Sequence, residues 1–72
     1  MSTLDTALLA AHEAGDLNTL IGLYEQAATE AKAVDASGFY LTHAYVFALE
    51  LGDSRADHLR RKLAEMGRET VE

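Results

Sequence analysis

The sequence predicts an all-α fold of four helices arranged as two antiparallel helix hairpins, and three observations carry that expectation. Proline is absent from all 72 residues, and Ala, Leu and Glu, which lose little rotamer freedom on a helix, are abundant. Apolar residues recur at three- and four-residue intervals along most of the chain. A Gly-Asp pair occurs twice, at Gly15-Asp16 and Gly52-Asp53, 37 residues apart and each time between two helix-like segments. A period of that size marks a helical-hairpin repeat, a unit that buries its apolar face only by stacking on a neighbour.

The first segment, about Leu4 to Ala14, places Leu4, Ala7, Leu8, Ala11 and Ala14 on one face, with Ser2 or Thr3 as cap and Asp5 in the first turn. Gly15 can take the left-handed conformation that ends it, and Asp16 can accept from the first amides of the next helix. That second helix is expected from Leu17 to Val34, with a stripe of Leu17, Leu20, Ile21, Tyr24, Ala27 or Ala28, Ala31 and Val34. Asp35-Ala36-Ser37-Gly38 reads as a short connection supplying the cap of the third helix.

The third helix, about Phe39 to Leu51, is apolar nearly all round. Such a helix is buried on several sides or spends its surplus face on a partner. Gly52 ends it, Asp53 or Ser54 caps the fourth helix, and Asp57 stands three residues beyond Ser54, near a capping-box arrangement. The fourth helix, about Arg55 to Met66, keeps only Ala56, Leu59, Leu63 and Met66 as a narrow apolar stripe, the pattern of a terminal capping helix. Gly67 is the expected stop, with Arg68 to Glu72 frayed beyond it.

The chain reads as one domain over residues 1–72, with hairpin one at about 3–35 and hairpin two at about 36–67. A domain of this size buries only about 60% of the surface it exposes when unfolded, so association or unusually close packing must supplement the core. No cysteine is available for a disulfide or a thiolate metal site, which fits a reducing, cytoplasmic setting. The N-terminus lacks the basic residues of a secretory signal, and no segment is long enough to span a membrane.

Net charge is −6 and uneven: residues 1–54 hold Lys32 against eight acids, residues 55–72 five cations against four acids. An acidic body repels phosphate backbones, so neither nucleic acid nor a membrane is an expected partner. His12 with Asp16 has a spacing that can chelate, but lacks a third ligand, and Ser2, Ser37 and Ser54 stand where caps are expected rather than in a nucleophile's turn. His43, on the crowded third helix, reads as a core or interface histidine. No enzyme activity, metal or cofactor is expected.

Aligning the halves by 37 pairs Leu4 with Leu41, Ala7 with Ala44, Leu8 with Tyr45, Ala11 with Ala48, Glu13 with Glu50 and the two Gly-Asp turns. Beyond the turn the best offset is 39, pairing Leu20 with Leu59, Tyr24 with Leu63 and Ala27 with Met66. On these residues, and on the order Leu20, Ile21, Tyr24, Ala27, the chain resembles the tetratricopeptide repeat family. The run from Ala44 to Ala56 followed by Leu59 and Leu63 is similar to the closing unit of the related Sel1-like repeats. The proline that commonly follows a repeat is missing, and Leu4 or Leu41 stands at the tryptophan-like first position.

The resemblance implies a right-handed stack of helix pairs that binds peptides or proteins without catalysis. It would turn Asp5, Leu9 and His12 of the first helix, and Phe39, Thr42, Val46 and Leu49 of the third, toward a groove. The lysines and asparagines with which some relatives clamp a terminal carboxylate are replaced by Asp5, Leu9, Thr42 and Val46. An apolar segment with basic flanks therefore suits Leu9, Val46 and Leu49, bordered by Glu13 and Glu50. The candidate protein-binding residues are Leu9, His12, Glu13, Phe39, Thr42, Val46, Leu49 and Glu50. The same stripe could instead be core, or a homodimer interface formed through the third helix.

Overall fold

A computed structural model describes residues 3–67, which form four helices and no strand: α1 (Thr3–Ala14), α2 (Leu17–Glu30), α3 (Val34–Leu51) and α4 (Arg55–Glu65). Among the described residues, no helix is long and apolar enough to cross a membrane. Each helix packs on its neighbours in sequence, α2 against α3 most extensively, then α3 against α4 and α1 against α2. With short connections throughout, successive helices are antiparallel. The Cα framework measures 32 × 29 × 13 Å, an open slab in which α1 and α4 are the outer members.

Both Gly-Asp turns close by the same hydrogen bonds. Gly15 (φ 66°) and Gly52 (φ 70°) take the left-handed conformation. The Asp16 N–H donates to the Ala11 carbonyl at 3.0 Å, and the Asp53 N–H donates to that of Ala48 at 2.9 Å. These bonds satisfy orphan carbonyls at the helix ends, and a side chain at either glycine would strain the backbone. Gly67 (φ 74°) repeats the conformation after α4, as its expected role as a stop requires.

The second connection lies elsewhere than the sequence suggests. α2 ends at Glu30, and α3 already begins at Val34, so Asp35-Ala36-Ser37-Gly38 is the first part of α3 rather than a link. The connection is Ala31-Lys32-Ala33, which moves the hairpin boundary a few residues toward the N-terminus. Ala31 and Ala33 adopt extended backbone there, although alanine is a good helix former. Ser37 does not cap; its hydroxyl donates to the Ala28 carbonyl at 2.9 Å and ties α3 to the end of α2. α3 starts with no side-chain cap. α4 ends at Glu65, one residue short of the expected Met66. Ser2 and the stretch Arg68 to Glu72 lie outside the described residues.

α2 is buried on two faces. Ile21 and Ala28 join Leu41, Ala44 and Ala48 of α3 and Leu59 and Leu63 of α4 in one cluster, with Tyr24, Tyr40, Tyr45, Phe47, Ala56 and Met66 packed against it. Leu20 and Ala27 are buried outside that cluster, on the side where α1 packs with Ala11. One residue step is about 100° of helix, which separates the two faces, and Tyr24 falls between them. Of the large and small apolar residues on the helix stripes, Leu20, Ala44, Leu59 and Leu63 are buried, whereas Leu8, Tyr24 and Phe47 are half-buried. Small residues line the α2–α3 seam, Ala28 on one side and Ala44 and Ala48 on the other, which lets the backbones approach closely.

Side chains join α2 to α4 across the edge of α3. Arg55 donates to the Asn18 side-chain oxygen, and Lys62 Nζ donates to Glu25 Oε2 at 3.4 Å, each across 37 residues. Two such ties, seven residues apart on both helices, show that α2 and α4 run parallel.

Leu59 is fully buried, so Leu59→Ala is expected to cost about 2–5 kcal/mol, enough to unfold much of a domain this small. Gly22 is the opposite case. It lies inside α2, and a Cβ there would meet only Arg55 Nη1 at 3.9 Å. Gly22→Ala should therefore stabilise by about 0.5–1 kcal/mol in a urea titration. An unchanged or lower midpoint would contradict this account of the α2 surface.

Candidate protein-interaction face

α3 divides into two unlike sides. Gly38, Leu41, Ala44 and Ala48 are buried, whereas Phe39, Thr42, Val46 and Leu49 are exposed, the three apolar ones at 58%, 44% and 55% in chain order. The exposed four recur at intervals of three, four and three residues, the geometry of a stripe along one helix side. Glu50 is exposed beside Leu49, and on α1 Leu9, His12 and Glu13 are exposed as well. All eight candidate residues are therefore at the surface of the monomer, and none is in its core. His12 reaches α3, its ring lying 6.1 Å from that of Phe47.

Next to this stripe lies a cluster of rings that sequence reasoning did not assemble. Tyr24 stacks on His43 at 5.1 Å between centroids and lies 5.8 Å from Phe47 and 6.2 Å from Tyr40. His43 in turn touches Phe39 at 4.4 Å. His12 Nε2 is hydrogen-bonded to Tyr24 Oη at 2.8 Å, which joins α1 to the cluster. Burial and then the neighbouring Tyr40 push the Tyr24 hydroxyl above its ordinary pKa, so it stays protonated and available to donate. The signal was present as Phe39, His43 and Phe47 at four-residue spacing, but spacing within one helix does not reveal that Tyr24 and His12 complete the group.

His12 and Asp16, four residues apart, are engaged with different partners. His12 is turned to Tyr24, while Asp16 accepts from the Thr19 N–H at 3.2 Å and the Thr19 hydroxyl at 2.6 Å. Those bonds hold the Asp16 carboxyl below its ordinary pKa and make it the expected cap of α2. Among the described residues, no three His, Asp or Glu side chains gather as metal ligands.

The charges beyond α3 are paired. Asp53 accepts from the Arg55 backbone N–H at 2.8 Å, and its two oxygens take Arg55 Nε and Nη2, both at 2.9 Å. It thus does the capping work for α4, where Ser54 makes no side-chain cap. Asp57 does not form a capping box; it binds Arg60 at 3.1 Å and Arg61 at 2.6 Å. Burial raises the Glu25 carboxyl, but His58 Nε2 at 2.5 Å and Lys62 outweigh it and leave the pKa lowered. An open depression of about 250 Å³ between Ala28, Ser37, Leu41, Lys62 and Met66 is too small and too shallow in apolar lining to hold a drug-sized ligand.

Comparison of the chain with protein families, with characterised proteins and with solved structures finds no match.

The Arg55 side chain, then its backbone N–H, holds the Asp53 carboxyl at about 2. This is below its unfolded value, so the tie contributes above about pH 4 and is lost as pH falls through about 2. Asp16 and Asp57 are shifted the same way. Melting temperature followed by circular dichroism should be flat from pH 7 to 5 and fall between about pH 4 and 2. Asp53→Asn should flatten that fall, and a variant curve parallel to the wild type would show that Asp53 contributes nothing.

Proposed function

We propose that the chain is a non-enzymatic protein-interaction module whose α3 outer face binds an apolar protein segment with basic flanks. The observation that carries this reading is the exposure of Phe39, Val46 and Leu49 in one stripe on the helix that also supplies the centre of the core. Exposing such a row to water is unfavourable, and a partner removes the cost. Glu50 is exposed beside the stripe and Glu13 is exposed on α1, which suits a segment with basic flanks. The resemblance to tetratricopeptide and Sel1-like repeats supports the same reading, since those units serve as scaffolds. A homodimer through α3 is the second reading, favoured by the regular spacing of the stripe.

Val46 is exposed, so Val46→Asp should leave helical content and melting temperature nearly unchanged while weakening partner binding at least about tenfold. Matched affinity capture with the wild-type and Val46→Asp chains, with light scattering on each pure protein, tests this. Proteins lost selectively from the variant support the module; a dimer that the variant splits supports the second reading. Identical capture from two monomers would end both. Glu13→Lys with Glu50→Lys should chiefly slow association with a basic partner and reduce its salt dependence.

A further inference from the structure

The outer face of α3 also restricts what form of segment it can take. α3 is continuous from Val34 to Leu51, and the Gly52 N–H returns to the Ala48 and Leu49 carbonyls at its end. Its exposed side therefore presents side chains and no unpaired backbone. An extended segment laid there would give up water at its own N–H and C=O groups and find no replacement. A helix has its backbone satisfied on arrival and needs only side-chain complementarity. The three-four-three spacing of Phe39, Thr42, Val46 and Leu49 is that at which a second helix seats knobs into holes. The stripe spans about 15 Å at 1.5 Å per residue, roughly three turns of such a partner.

Charge narrows the choice further. α1, α2 and α3 contain Asp5, Glu13, Glu25, Glu30, Asp35 and Glu50 and not one Lys or Arg. The basic residues of α4 are turned to carboxylates: Arg55 to Asp53, Arg60 and Arg61 to Asp57, and Lys62 to Glu25. On α3 itself Asp35 stands four residues before Phe39 and Glu50 four after Val46, which places an acid toward each end of the stripe. A second copy would bring its own acids to the same surface.

Building on the reading of α3 as the binding face, we propose that its occupant is an amphipathic α-helix of another protein, with a heptad-spaced apolar seam edged by Lys or Arg. Neither an extended segment nor a second copy of the chain meets both conditions.

Three synthetic peptides of about three heptads test this against the full chain. One carries leucines at three-four spacing with lysine edges, one has the same composition with leucines alternating, and one keeps the helical pattern with glutamate edges. Fluorescence anisotropy and amide chemical shifts are the readouts. The first peptide is expected to bind, to shift Phe39, Thr42, Val46 and Leu49, to weaken as salt rises, and to lose at least about tenfold in affinity on Val46→Asp. Equal or tighter binding by the alternating peptide overturns the helical part, and by the glutamate peptide the charge part. No binding by the first peptide, or a dimer of the chain alone that Val46→Asp dissociates, overturns the inference. Where Val46→Asp changes matched capture but the lysine peptide does not bind, the face stands and only the inference falls.

Discussion

The fold depends on α2 being buried from two directions at once. Ile21 and Ala28 look toward α3, and Leu20 and Ala27 look about a quarter-turn away toward α1. A helix covered on one side needs one neighbour, whereas a helix covered on two sides fixes the angle between its neighbours. Tyr24 stands at that joint, with its ring against Tyr40, His43 and Phe47 and its hydroxyl on His12. Side chains from α1 and α3 thus meet on one residue of α2. The ring pairs add specificity of geometry to the apolar burial, because offset and edge arrangements are preferred to arbitrary ones.

α4 differs from α2 in how many of its sides are apolar. It runs parallel to α2 and is tied to it at Asn18 and Glu25, yet it has one apolar side, Leu59 and Leu63, where α2 has two. Its outward positions are Asp57, Arg60 and Arg61, which satisfy one another in water. The outer side of α4 is charged and solvated, whereas exposed large apolar residues stand on α3 and, at Leu9, on α1.

Much of this was legible in the sequence because the responsible interactions are local. A left-handed glycine followed by an acid that can cap is readable from two letters, and both Gly-Asp turns stand where the pair predicts them. The boundary between α2 and α3 was not legible. Ala31 and Ala33 leave the helix despite high intrinsic propensity, and Ser37-Gly38 enters one despite low propensity. Ser37 is held in α3 by its hydroxyl on the Ala28 carbonyl of α2, and Gly38 beside it is buried. Tertiary packing outweighs a propensity difference of about 1 kcal/mol per residue. The surface position of the eight candidate residues was legible, since all eight are exposed. The ring cluster beside it was not, because it is assembled from three helices, and the pairing of Arg55 with Asn18 is equally invisible in one dimension.

The distribution of side-chain size on α3 bears on what the helix is for. A helix selected only for the stability of this monomer would turn its largest apolar residues inward, where each buried methylene contributes about 0.8 kcal/mol. α3 does so only in part: Leu41 is buried and Tyr40, Tyr45 and Phe47 pack against the core, but other positions are reversed. Gly38, Ala44 and Ala48 are inside, and Phe39, Val46 and Leu49 are outside. The small inner residues are accounted for by the close approach of α2. Phe39 lies against the His43 and Tyr40 rings, while at Val46 and Leu49 an exposed helix side is equally helical with Gln, Glu or Lys. On the proposed reading this surplus apolar surface is half of a contact, and the acids of α1 to α3 bias which molecule supplies the other half.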